Sequence, residues 1–289
     1  MILPPNLLII GNLHHKNKAG LIDVLNYLQW TYKFGTLNDI VNFDIIYSPS
    51  IPFDPSSYPT KKIIFGPHFS VFPDHKMNLI NNKYNNAVYI QPSKWVVNLW
   101  INMGVRHIPI KSMPFPVNIN LFSPKISNQK KNVFIYFKRR QPKELNMLEQ
   151  FLNYQQISYK IFDYVKKYEE GDYLNYLKNS KYGIILDAHE SQGFAIEEAL
   201  SCNVPLLVWN TKTMNQEYGS SYRDIPCTTI PYWDERCGEC FYDINELEEK
   251  YDTFISKLDQ YEPRQYIVDN LNLEVCSKKL LDLIQNIPN

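Results

Sequence analysis

Residues 182–210 read YGIILDAHESQGFAIEEALSCNVPLLVWN. The apolar run YGIILDA has the length and β-branched content of a buried strand, and FAIEEALSCN spaces its apolar residues as a helix does. VPLLVWN is again a strand. A strand, a short turn, a helix and a second strand form the parallel βαβ unit, whose strands are buried on both faces and therefore read as continuous apolar runs.

The same alternation extends outward in both directions. Downstream of a polar stretch at residues 120–132, VFIYF reads as a strand, PKELNMLEQFLNYQQ as a helix, SYKIFDY as a strand and EGDYLNYLKNS as a short helix. Upstream, NLLIIG at residues 6–11 is a strand and AGLIDVLNYLQWTY at residues 19–32 an amphipathic helix. FDIIYSPS, KKIIFGPHFS and NAVYIQPS follow as strands. KWVVNLWINMG is a helix with Ser93 as its N-cap and Gly104 closing its C-terminus. HIPIKSMPFPVN is a short strand leading into a proline-rich passage, and the tail supplies two or three further helices. The pattern predicts an α/β protein of two doubly wound, Rossmann-like domains facing a central cleft. The first spans 1–123 and the second 124–289, with the last helix able to cross back to the first. In such sheets ligands sit beyond the carboxyl ends of the strands.

Bulk properties narrow the partners. Thirty basic residues balance thirty acidic ones over 289 residues, which removes the charge argument for nucleic acid or anionic lipid. No apolar run approaches the roughly 18 residues needed to span a bilayer, and MILPPNLLII lacks the basic start and small-residue cleavage site of a signal peptide. The five cysteines are odd in number and irregular in spacing, which argues for reduced thiols and a cytoplasmic protein. Cys237 and Cys240 have zinc-knuckle spacing without a second pair. Their surroundings, PYWDERCGECFYD, read as a loop suited to a lid or to shaping an acceptor site.

The turn between strand and helix carries the chemistry. The N–H groups of Ser191, Gln192, Gly193, Phe194 and Ala195 lie where a helix leaves donors unpaired, a natural phosphate or diphosphate site. Glycine at 193 removes a Cβ that would hold a ligand off the backbone. Glu198 sits roughly 7–8 Å further along the helix at about 1.5 Å per residue, the separation of a ribose from its diphosphate. Glu190, on the loop side, can accept from hydroxyls of a group beyond the diphosphate. Glu197 reads as an ordinary helix-start charge. Asp187 either positions the loop of Glu190 or is a buried turn aspartate.

Glu190, seven residues, then Glu198, continued as EEALSCNVPLLV, resembles the E-x7-E signature of retaining GT-B glycosyltransferases, especially family 4. AVYIQPSKWVVNLWINMGVRHIPIKSMPFPVNINLFSP, VFIYFKRRQPKE and YIVDNLNLEVCSKKLLDLI are similar to further segments of that family. The resemblance implies a retaining hexosyltransferase of glycan biosynthesis that moves sugar from a UDP-, GDP- or dTDP-sugar to a glycan, lipid-linked or small-molecule acceptor. It needs no metal or other cofactor, and no DxD-type pair is present. By the same resemblance, Glu190 meets the donor sugar and Glu198 the ribose. A basic pair neutralises the leaving diphosphate, its first member Lys138 or Arg139 and its second Lys143. His68, closing the strand in FGPHFS, stands near the reacting sugar. Gly11 and Asn12 border the donor in the first loop, GNLHHKNKAG, which holds fewer glycines than the family and adds His14 and His15. A nucleotide-sugar epimerase of the same fold, or a non-catalytic nucleotide-sugar or carbohydrate-binding protein, is the competing reading.

Overall fold

The computed structural model describes residues 6–73, 83–125 and 130–288. It divides into two compact units, one running to Pro116 and including the segment from Leu271, the other Val117–Asn270. Four residues of the polar stretch at 120–132, numbers 126–129, lie outside the described residues.

The first unit holds a six-stranded sheet of β1 (Asn6–Ile10), β2 (Thr31–Gly35), β3 (Ile45–Ser48), β4 (Lys62–Phe65), β5 (Ala87–Gln91) and β6 (Ile110–Ser112). Its spatial order is β2-β1-β3-β4-β5-β6 and every pairing is parallel. Strands β3, β4 and β5 are buried almost throughout, as expected of strands with both faces covered. Helices α1 (His15–Tyr27) and α2 (Lys94–Asn102) belong to this unit.

Two local readings need correction here. The helix expected at residues 19–32 begins four residues earlier and stops at Tyr27, and Thr31–Gly35 is the edge strand β2. Gln29, in the left-handed region at φ 56°, turns the chain between them, and the alternation Thr-Tyr-Lys-Phe suits a half-exposed edge. Ser93 stands at the N-cap of α2 in extended conformation, yet its hydroxyl makes no capping bond. Gly104, just past the helix, does take the left-handed conformation at φ 102°.

The second unit holds β7 (Asn132–Lys138), α3 (Pro142–Tyr154), β8 (Lys160–Asp163), α4 (Glu170–Leu177), β9 (Ser180–Asp187), α5 (Phe194–Ser201), β10 (Leu206–Trp209), β11 (Gly238–Phe241), α6 (Leu247–Ser256) and α7 (Pro263–Leu271). The order β11-β10-β9-β7-β8 is again all parallel. Strand β11 lies inside the segment read as a loop. Four residues, Gly-Glu-Cys-Phe, are too few for a periodic signal, and pairing with β10 makes the strand. All five cysteines are free thiols. The last helix, α8 (Leu273–Gln285), belongs to the first unit, where the ammonium of Lys62 reaches the carbonyl of Ile284 at 3.0 Å. Among the described residues no helix is long and apolar enough to cross a membrane.

Alternation along the central strands sorts side chains between the two faces. Val133 and Ile135 of β7, with Tyr182, Ile184 and Leu186 of β9, pack with Leu148 and Leu152 of α3 and with Tyr251 and Phe254 of α6. The intervening residues Phe134, Tyr136 and Lys138 of β7, and Gly183, Ile185 and Asp187 of β9, point to the opposite face. There the rings of Phe134, Tyr136, Phe162 and Tyr173 pack edge-on or tilted, with centroids 4.9–6.2 Å apart.

Gly183 exists because of that ring packing. A Cβ added there meets Phe134 Cζ at 2.2 Å, and Phe134 is wholly buried with no room to retreat. Gly183→Ala is therefore expected to destabilise the chain by about 1–3 kcal/mol, the usual cost of overpacking, read as a lower urea midpoint at unchanged slope.

Candidate functional site

Both sheets are doubly wound, and each has a switch point where successive strands run off in opposite directions. In the second unit it lies between β7 and β9. Their register pairs Lys138 with Asp187 at the carboxyl ends of the strands, and alternation puts both side chains on the same face. The turn after β9 then brings back Glu190, whose N–H is held by the carbonyl of Thr228 at 3.1 Å.

The result is a charge cluster of a buried Asp187 with half-buried Lys138 and Glu190. The Lys138 ammonium is hydrogen-bonded to Glu190 Oε1 and stands 3.9 Å from Asp187 Oδ2. It also lies 4.7 Å from the centre of the Tyr164 ring, a cation–π contact. Burial disfavours the charge on Lys138, but Asp187 and Glu190 outweigh it and hold its pKa above the ordinary lysine value. Burial alike opposes ionisation of Glu190, yet Lys138 and the contact with Asp187 bring it below its ordinary value.

The remaining basic residues of the KRR run separate into different roles. Arg139, at φ 49° in the turn after β7, reaches Glu217 Oε1 at 3.1 Å. His189 Nδ1 lies 3.3 Å from Glu217 Oε2, and burial, partly offset by Glu217, lowers the pKa of His189. Arg140 is buried. It forks onto Glu144 at 2.9 and 2.7 Å and donates to the carbonyls of Asp187 and Trp209 at 3.2 and 2.9 Å. One guanidinium thereby ties the ends of β9 and β10 to the first turn of α3. Lys143 is exposed at the second position of α3, and the ion pairs of the cluster are made by Lys138.

Helix α5 starts at Phe194, after Gly193 at φ 91°. Its first intrahelical bonds run from Ile196 and Glu197 to the Gly193 carbonyl, so the N–H groups of Phe194 and Ala195 have no acceptor within the helix. Glycine is required at 193 by the left-handed backbone, since a Cβ there would sit 3.5 Å from Glu190 Cβ, an ordinary contact. Ser191 is exposed. Gln192 is buried, and its amide donates to Glu197 Oε2 at 3.0 Å. Glu197, expected to be a solvated helix-start charge, is instead 1% exposed and pins the loop. Glu198 is 5% exposed, with Tyr168 and Tyr173 close enough to feel its charge. The Tyr173 hydroxyl donates to the Ala195 carbonyl at 2.9 Å, buttressing the first turn.

The switch point of the first unit lies between β1 and β3. Gly11, at φ 93°, passes so close to the loop after β3 that a Cβ would meet Ser50 Oγ at 2.6 Å. The Asn12 N–H bonds that hydroxyl at 2.8 Å. His68, past the end of β4, anchors its N–H on the Pro49 carbonyl at 2.8 Å. Its Nε2 receives the Asn17 amide at 3.0 Å and faces the backbone N–H of His14 at 3.5 Å. A backbone N–H only donates, so Nε2 carries the lone pair and the proton sits on Nδ1. Gly11, Asn12, His14 and His68 are thus brought together in one unit, and Lys138, Arg139, Glu190 and residues 191–198 in the other.

Solved structures share this fold at low sequence identity. Anabaena HepE in complex with UDP and glucose superposes with a TM-score of 0.59 at 12% identity, over 97% of this chain and 99% of its own. Sucrose-phosphate synthase from Thermosynechococcus elongatus gives 0.60 at 9%, over 97% and 98%. The lipopolysaccharide outer core galactosyltransferase WaaB, in its apo form, gives 0.58 at 13%, over 97% and 99%. No protein-family model and no curated protein matches the sequence. The fold is the α/β, GT-B class expected from the sequence.

Burial, with the charge of His14 adding to it, holds the His68 pKa below the ordinary histidine value. Stability contributed by this group is therefore complete above about 6.5 and is lost as pH falls through the folded value. Nitrogen-15 NMR should find His68 neutral at pH 7 with its proton on Nδ1. Asn17→Ala, which removes a donor to Nε2, should raise its pKa, and an Nε2–H signal in the wild type would contradict the assignment.

Proposed function

We propose that the chain is a glycosyltransferase that moves a sugar from a nucleotide-diphosphate sugar to an acceptor hydroxyl. The observation that carries this reading is the turn from β9 into α5. It sets two donors of a helix N-terminus, a left-handed glycine, the half-buried cation Lys138 and two carboxylates, Glu190 and Glu198, at one switch point. The shared fold supports it, since the HepE structure is a complex with UDP and glucose.

In this reading the diphosphate lies at the first turn of α5, where unpaired N–H groups and the helix dipole favour an anion. Glu198 accepts from the ribose hydroxyls. Glu190 accepts from hydroxyls of the donor sugar, and Lys138 keeps it ionised for that purpose. Lys143, with Lys138 or Arg139, meets the negative charge that grows on the leaving diphosphate, an interaction stronger in the transition state than in the ground state. Those cations take the place of a divalent ion. The donor is a UDP-, GDP- or dTDP-sugar, transfer retains the anomeric configuration, and the acceptor is a glycan, a lipid-linked sugar or a small molecule met by the first unit. The enzyme works in the cytoplasm.

A thermal-shift panel of UDP-, GDP- and dTDP-sugars tests the donor site, because a ligand of the folded state raises its stability by mass action. Glu198→Ala should weaken nucleotide binding about tenfold or more, the worth of hydrogen bonds to a charged group. Lys143 is exposed, so Lys143→Ala should fold normally while turnover falls by about 100-fold or more, and chelation of divalent ions should leave the wild-type rate unchanged. Binding of a nucleotide sugar without transfer or hydrolysis would favour a binding protein, and no binding across the panel would end the reading.

A further inference from the structure

We propose that Asp187 is a positioning residue that carries a proton at neutral pH and donates it in a hydrogen bond to Glu190, leaving Lys138 as the counter-ion of Glu190 alone. The argument begins with a count of charges. Asp187 is 0% exposed, and its Oδ2 has no hydrogen-bond donor among the described residues. Its Oδ1 accepts from the N–H of Ala188 at 2.6 Å. Among the described residues the ammonium that pairs with it is that of Lys138, which is bonded to Glu190 and stays 3.9 Å from Oδ2. Two ionised carboxylates against one cation would leave an uncompensated anion in the interior, which is costly.

The placement of the carboxyls points the same way. Asp187 and Glu190 both face the ammonium of Lys138, which brings the two carboxyls to the same spot. Ionised carboxylates are acceptors only, so a bond between the two requires a proton on one of them. A proton on Oδ2 turns an orphaned acceptor into a donor. Of the two, Asp187 is the deeper and the more weakly paired. Burial, with Glu190 adding to it and Lys138 opposing, lifts its carboxyl well above the ordinary range, whereas Glu190 is held below its own.

The other groups around Asp187 do not supply the missing cation. Tyr136 from β7 is neutral, its hydroxyl pushed up by burial. Tyr164 and Tyr168, beyond β8, lie against Lys138. His189 from the same loop is shifted toward its neutral form, and Arg139 beside it is paired with Glu217. Arg140 touches only the main-chain oxygen of Asp187, and its charge is balanced by Glu144.

The consequence for binding rests on the glycosyltransferase reading. With Asp187 protonated the cluster is neutral, and an arriving diphosphate meets no net repulsion. Ionisation of Asp187 would place a second anion beside the donor site. Nucleotide affinity should therefore fall as pH rises through the folded pKa of Asp187, and Asp187→Asn should lack that limb. Stability follows the same sign. With the folded value above the unfolded one, the contribution of Asp187 is complete below about 3.9 and is lost as pH rises toward the folded value.

Carbon-13 NMR of the full chain, labelled at aspartate side-chain carboxyls, tests the proton directly. One aspartate should show the shift of a neutral acid at pH 7, and that signal should be missing in Asp187→Asn. If every aspartate is ionised at pH 7, the proposal is overturned. Binding of UDP, GDP or dTDP, whichever the wild type takes, gives the second readout. Asp187→Asn, which keeps a neutral donor, should stay within about threefold of the wild type, while Asp187→Ala should lose about tenfold. Asparagine as harmful as alanine would instead mark an ionised aspartate. Should the alanine variant not fold, the carboxyl signal of the wild type decides. Should the wild type bind no nucleotide, the glycosyltransferase reading falls, and the same signal still upholds or overturns the proton assignment.

Discussion

The pairing of β7 with β9 is the constraint on which the second unit depends. It sets Lys138 beside Asp187 across a parallel ladder, at the point where the chain stops adding strands on one side and starts on the other. A shift of one residue in that register would turn Lys138 into the packed face of Val133 and Ile135 and expel the charge cluster. The apolar alternation of both strands therefore does two things. It builds a core on each side of the sheet, and it delivers a half-buried cation and a buried acid to the same spot.

Burial then decides how those charges behave. An exposed lysine next to two exposed carboxylates would contribute little and titrate normally. Here the sheet, the aromatic packing around Tyr136 and Tyr173, and the loop pinned by Gln192 and Glu197 keep water away. The loss of hydration raises the value of every polar contact and the cost of every missing one. Arg140 shows the structural half of the same principle, since its guanidinium is fully spent on Glu144 and two carbonyls. It holds the strand ends still beside the Lys138–Glu190 ion pair.

Much of this was legible in the sequence, and the parts that were not share a physical reason. Continuous apolar runs such as YGIILDA and VPLLVWN announce buried parallel strands, and Gly193 after Glu190 announces the turn. The edge strands β2 and β11 were missed because an edge has one ladder partner and, at four or five residues, little periodicity of its own. Glu197 was misjudged because a helix wheel drawn from Ile196, Ala199 and Leu200 does not know that Gln192 folds back over it. The basic run KRR looked uniform, yet three adjacent residues diverge: Lys138 ends a strand, Arg139 turns with positive φ, and Arg140 points inward. Glu217, which gathers Arg139 and His189, offered no signal because only tertiary folding brings it there.

The two switch points differ in what they are built to hold. That of the first unit is small and neutral, with Gly11 pressed against Ser50 and Ile51 and a histidine fixed in one tautomer. Two donors already occupy Nε2 of His68, so the group that remains for a ligand is its Nδ1–H, a donor rather than a base. That of the second unit is charged but internally balanced, with helix N–H groups added at its edge. The helix N–H groups at the edge of the second favour an anion. The two switch points thus carry different side-chain chemistry: an imidazole and amides at one, ion-paired carboxylates and a lysine at the other.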